Sequence, residues 1–262
     1  MVWLIASAAA MLAAAIALRG RPGLVLLAAG LFTLLGALTM GMHADWLVSF
    51  DTALENWSDR HRTDRRGELA AGIWAFLGDP LHALIIAVVG GTLLSLRMKS
   101  PIPVVLVTGA VGVGVAVEET LKTVIPPHSF PSGHVTVATT LFGMIAVCLA
   151  AGDSRLAKVA LGVLVAESVF LVAALAVYSG AHTFTDVLGG ALLGSAILAS
   201  GAALLDYARR PSGGAVRAGP PRVRRAFKTP ARAAAGGRPG WASPGRPAVP
   251  GPDDVTRPLP RL

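Results

Sequence analysis

Seven stretches of this chain are long, apolar and almost free of charge, and they restrict its folding more than any other feature. Met1–Leu18 and Pro22–Met42 carry no charged side chain, and Leu69–Leu96 carries only Asp79 and His82. Pro101–Val117, Val135–Gly152, Val159–Tyr178 (with Glu167) and Val187–Leu205 complete the set. A bilayer core about 30 Å thick is crossed by roughly 17–25 apolar residues in a helix. In hydrocarbon every backbone N–H and C=O must be satisfied within the chain, which leaves helices for segments of this kind. Charged residues make up 15% of the chain, against about 25% in a soluble domain. The expected fold is therefore all-α: a polytopic membrane bundle of about seven transmembrane helices. A soluble enzyme is excluded.

The loops give the expected orientation. Arg19 and Arg21, Arg97 and Lys99, Arg155 and Lys158, and Arg209 with Arg210 fall in alternate connections. Positive charge marks the cytoplasmic side, which leaves 43–68, 118–134 and 179–186 outside. In 43–68, Trp46, Leu47, Phe50, Leu54 and Trp57 recur at helical spacing and predict an amphipathic helix lying in the membrane interface. From Asp206 onward there are 12 Lys and Arg against 3 Asp and Glu, so residues 1–205 hold 11 against 12 and are nearly neutral. The basic character thus belongs to a Pro-, Gly-, Ala- and Arg-rich tail, 206–262, expected to be disordered and cytoplasmic. Its arginines suit anionic membrane lipids, and a nucleic-acid partner is not expected. Cys148 is the sole cysteine, so no intrachain disulfide forms. No positive n-region precedes the first apolar stretch, so a cleaved signal peptide is not expected.

Residues suited to catalysis collect in two of the outer loops. Pro131-Ser132-Gly133-His134 opens an apolar span. A helix start offers unpaired backbone N–H groups and a positive dipole end, which with a Ser hydroxyl and a Gly can hold a phosphate. His134 adds a titratable proton donor. The simpler reading is a capped helix start with an interfacial histidine. His182 and Asp186, four residues apart, share a face if that turn is helical. A carboxylate on one ring nitrogen fixes the tautomer and makes the other nitrogen more basic, as a histidine nucleophile requires. The simpler reading here is an interfacial histidine beside a helix-capping aspartate. Asp79-Pro80 has the form of an N-cap followed by proline at the first helical position. Glu118 and Lys122 are spaced as a helical ion pair.

Taken together, Lys122, Pro131-Ser132-Gly133-His134 and the His182/Asp186 pair resemble the three-part signature of the type-2 phosphatidic acid phosphatase superfamily. That signature is a Lys followed after six residues by Arg-Pro, then Pro-Ser-Gly-His, then Ser-Arg, five residues, His, three residues and Asp. The resemblance covers about 45–205, and Val187-Leu188-Gly189-Gly190 resembles the start of the family's last helix. It implies a six-helix phosphatase-like core in domain 1–205 and a lipid phosphate or polyprenyl diphosphate substrate. By position, His182 would attack phosphorus, Asp186 would orient it, and His134 would protonate the leaving oxygen and then activate water. Lys122, Ser132 and the Gly133 backbone would bind phosphate oxygens. No metal and no cofactor are implied. The expected location is the plasma membrane, with the site outside. Neither the particular lipid nor the oligomeric state is written in the sequence.

The chain departs from this pattern at its arginines. Leu175 and Ala176 stand where the family has Ser-Arg, Ser129 and Phe130 where it has Arg-Pro, and Pro127 where a further Arg is frequent. Lys122 is left as the sole cation of the three motifs. A bidentate Arg clamp is stronger and more directional than a Lys point charge. His128, as an accessory group, or one of Arg60, Arg62, Arg65 and Arg66 would be the replacement. On this reading Ala176→Arg should raise activity. Two alternatives stand beside an active phosphatase: a weakened member that binds lipid phosphates, and a transporter using Glu167.

Overall fold

Asp79 breaks the longest apolar stretch into two helices. In the computed structural model its carboxylate accepts from the Leu81 and His82 N–H groups, each at 2.9 Å, and Pro80 takes the first helical position. These N–H groups, His82's chiefly, hold the Asp79 carboxyl below its ordinary range. The expected cap is thus present, and it corrects the limits of the third span. That crossing begins at Pro80, while Leu69–Leu77 belongs to a separate helix.

The structure describes residues 1–18, 20–126, 129–150 and 154–209. These form nine helices: α1 (Val2–Ala17), α2 (Arg21–Gly41), α3 (Asp45–His61), α4 (Asp64–Gly78), α5 (Pro80–Met98), α6 (Ile102–Val124), α7 (Gly133–Leu149), α8 (Arg155–Tyr178) and α9 (Phe184–Arg209). Five of them, α2, α5, α6, α8 and α9, are long and apolar enough to cross a membrane, and α1 and α7 are apolar but shorter. Together these seven correspond to the seven stretches read from the sequence. The last helix runs four residues past its expected end at Leu205. His128 and 210–262, the bulk of the basic tail, lie outside the described residues.

α7 is the centre of the bundle, flanked by α9, α6, α8, α5 and α4. Its contact with α9 is made close by small residues. A Cβ at Gly143 would overlap Leu198, one at Gly194 would meet Thr139, and one at Gly201 would press on Met144. Helices in lipid associate through such close van der Waals packing, since hydrocarbon supplies no hydrophobic drive. Val107, Val111, Leu141, Met144 and Leu193 form the main apolar core around this seam. Large side chains left exposed, among them Ile85, Val89, Val163 and Phe170, lie on the spans, where the apolar solvent is lipid.

The amphipathic helix expected in 43–68 is α3. Its stripe divides: Leu47 is buried, while Trp46, Phe50 and Trp57 remain exposed. Aromatic side chains of this kind suit the membrane–water boundary.

Candidate active site

The Pro-Ser-Gly-His segment lies in a bed cut into α9 by two glycines. A Cβ at Gly189 would overlap the Phe130 ring, and one at Gly190 would overlap the Ser132 carbonyl oxygen. With both Cβ atoms missing, the loop reaches the helix backbone, and the Ser132 N–H donates to the Asp186 carbonyl at 2.9 Å. Thr136 fastens the next turn, its hydroxyl donating to the Ser132 and Gly190 carbonyls at 3.0 and 3.3 Å. A methyl at Gly190 would strike backbone, which cannot swing aside. Gly190→Ala is therefore expected to cost about 1–3 kcal/mol and to lift the His134 loop. Gly36→Ala on α2, where a Cβ meets open space, should leave stability unchanged. Thermal unfolding in detergent compares the two.

The second loop is shaped by the end of α8 and the start of α9. Gly180 adopts φ +77°, a conformation for which glycine is suited. Its turn sends the Ala181 and His182 N–H groups back to the Ala176 carbonyl at 3.1 and 3.3 Å. Thr183 and Asp186 then form a reciprocal capping box: the Asp186 N–H donates to Thr183 Oγ1, and the Thr183 N–H donates to Asp186 Oδ2, both at 3.2 Å. The box fixes the Asp186 carboxylate, which also faces His182 Nδ1 at 3.4 Å. With Nδ1–H donating to Asp186, Nε2 is the nitrogen that carries a free lone pair.

The two histidines meet across one indole. Trp74, from α4, stacks on the His134 ring with centroids 4.0 Å apart and planes at 18°, and stands edge-on to His182 at 5.8 Å. His134 precedes the apolar run of α7. Burial lowers its pKa from 6.5 to about 4, with the Lys122 ammonium acting in the same direction. Lys122 pairs with Glu118 and lies 3.8 Å from Glu119. The buried Glu118 carboxylate in turn covers the face of Gly133 where a Cβ would stand. A small cavity of about 130 Å³ lies in front, lined by Asp51, Ser129, Gly180, His182, Thr183 and Asp186 among others. A larger one, about 550 Å³, lies at the opposite end of α7 and α9 beside Lys158 and Arg209, remote from these side chains.

The fold thus brings together His134, His182, Asp186, Ser132 and Gly133, with Lys122 reaching them through Glu118. Three participants carried no signal in the sequence motifs. Trp74 is one. The second is Asp51 of α3, whose carboxylate accepts from the Thr185 N–H at 3.1 Å and hydroxyl at 2.6 Å. The third is Arg62, one of four arginines read as replacements for the family cations. Its guanidinium donates to the Tyr178 carbonyl at 3.3 Å and to Asp59 at 2.6 Å, and abuts Gly180. Ser58 also donates to the Tyr178 carbonyl, at 2.9 Å, while the Tyr178 hydroxyl donates to the His61 carbonyl at 3.1 Å. The α3 segment, with Arg62 just past its end, is therefore fastened to both ends of the His182 loop. Among the described residues, no group of three or more His, Cys, Asp or Glu side chains converges as a metal cage.

The helical bundle of this membrane protein sets two histidines and an aspartate at one end, in short polar loops. The profile of the PAP2 superfamily matches residues 76–210, and the chain belongs to that superfamily. A crystal structure of the first transmembrane PAP2-type phosphatidylglycerolphosphate phosphatase, from Bacillus subtilis, superposes with a TM-score of 0.62 at 25% identity, covering 70% of this chain and 98% of that one. No curated protein sequence matches the chain.

Proposed function

We propose that this protein hydrolyses lipid phosphates without a metal, through a phosphohistidine on His182, at the outer face of the cell membrane. The observation that carries the reading is the pairing of His182 Nδ1 with Asp186 while His134 faces the same indole. Superfamily membership and the likeness to a membrane lipid phosphatase support it.

In this reading Nε2 of His182 attacks phosphorus, the bond to the lipid oxygen breaks, and that oxygen takes a proton from His134. Water then attacks the phosphohistidine, giving a proton to His134, and the P–N bond breaks to release phosphate. His134 is neutral in the empty site at neutral pH. A phosphate anion beside His134 adds an attraction that burial alone does not offer, raises that pKa, and brings the proton that the leaving oxygen needs. Lys122, Ser132 and the Gly133 backbone are the proposed phosphate ligands, with the α7 dipole behind them.

A second reading has its own observation. Glu118 places a carboxylate against Gly133, and Ala176 stands in place of an arginine. A protein that binds lipid phosphate without turnover fits those two facts. Glu167 is exposed on α8, which gives a transport role no support.

Purified protein in detergent is expected to release phosphate from a panel of lipid phosphates, with and without EDTA. Intact cells supplied with a membrane-impermeant short-chain lipid phosphate should release it outside. Binding without release favours the second reading. Release by lysed but not intact cells places the site on the cytoplasmic face.

A further inference from the structure

Among the described residues, two hydrogen-bond donors at this site are buried without a partner: the indole N–H of Trp74 and the hydroxyl of Ser132. Ser132 is wholly buried, at 0% exposure. An indole N–H is a donor only, and a buried donor left unpaired is a cost that folded proteins rarely carry without a reason. Both orphans adjoin one histidine. Ser132 precedes His134 by two residues, and Trp74 stacks on its ring. Trp74 is also part of the apolar cluster that surrounds Ala176, with Val135, Ala138, Val172 and Val187. It thus packs against the same cluster as Ala176, the position where related enzymes carry an arginine.

We infer that Trp74 is a phosphate-binding residue, its indole N–H donating to a nonbridging oxygen of the bound phosphoryl group in place of the missing guanidinium. The inference rests on the phosphatase reading for its substrate. Its chemistry requires only an anion that accepts without donating at that point. A phosphate has several oxygens and satisfies both orphans at once. A neutral donor adds no charge to a site already holding the Lys122–Glu118 pair and the His182–Asp186 pair. A donor of this kind directs the phosphate by geometry more than by attraction, and the indole that supplies it also holds His134 flat against its face.

The test removes the donor and keeps the ring. Trp74→Phe is expected to weaken binding of inorganic phosphate about tenfold to a hundredfold, the range for a hydrogen bond to a charged group. Phosphate-dependent thermal shift of the detergent-purified protein reads this. The phosphate affinity is the deciding readout, since Phe also removes packed ring volume and lowers the melting temperature in either case. A residue that only packs would leave phosphate affinity unchanged, and that result overturns the inference. A second measurement uses the wild-type chain and survives a misfolded variant. With ¹⁵N-tryptophan incorporated, one indole N–H resonance should move downfield as phosphate saturates the site. If no indole resonance moves, or no phosphate binds, the inference fails. Failure of the phosphatase reading looks different: phosphate binds and the indole responds, yet no lipid phosphate is turned over.

Discussion

Replacing His182 with alanine is expected to lower phosphate release by about 10⁴-fold or more, roughly 5.5 kcal/mol of barrier. In the proposed mechanism His182 has no neighbour placed to take over the attack. His134 is the other imidazole at the site, and its ring is held against Trp74 at 4.0 Å. Asp186 remains fixed by the Thr183 N–H and by its own place in the capping box, so the variant should fold and keep its phosphate affinity. Loss of turnover at an unchanged melting temperature is the expected signature, read by phosphate release and thermal unfolding on the same preparation. Asp186→Asn is expected to be milder for chemistry, since it leaves the nucleophile present but less basic and less well oriented.

Ala176→Arg is expected to destabilise the protein by about 3–5 kcal/mol, the penalty for an unpaired charge in a buried place. The motif comparison alone argues for a gain in activity. Packing argues the other way. Ala176 is 0% exposed and belongs to the apolar cluster of Val135, Ala138, Val172 and Val187, with Trp74 and Leu77 against it. Its carbonyl already accepts from the Ala181 and His182 N–H groups and from the Ser179 hydroxyl at 3.0 Å. A guanidinium there would enter this apolar cluster, and it would push on the turn that presents His182. Monodispersity by size exclusion and the melting temperature in detergent check this. A well-folded variant with faster phosphate release would reinstate the expectation from the motif.

Much of this architecture is written locally. Each crossing announces itself as an apolar run with little or no charge, because hydrocarbon tolerates little else, and α3 shows its stripe of Trp46, Leu47, Phe50, Leu54 and Trp57 at helical spacing. His134 and the His182–Asp186 pair are legible for the same reason, since short spacing fixes their mutual placement. Trp74 was hidden because it lies in an apolar run continuous with a span, and only the Asp79 cap separates the two. The contacts of Asp51 and Arg62 were unreadable for another reason. Their partners Thr185 and Tyr178 lie 134 and 116 residues away along the chain, and no periodicity encodes a contact of that span. Arg62 could be nominated on charge alone. In the structure it grips the backbone of the His182 loop at the end of α8, where a cation also suits the helix dipole.

The central claim is that phosphorus passes through His182. Brief incubation of the purified protein with a ³²P-labelled lipid phosphate, followed by an alkaline quench that preserves phosphohistidine, measures it directly. Label bound to the wild-type chain, acid-labile and stable to alkali, is the expected result. It should increase in His134→Ala, where water is no longer activated, provided the leaving group is good enough to depart unaided. It should be missing from His182→Ala. A protein that turns over its lipid substrate yet carries no such label, or a His182→Ala variant that still becomes labelled, would contradict the account.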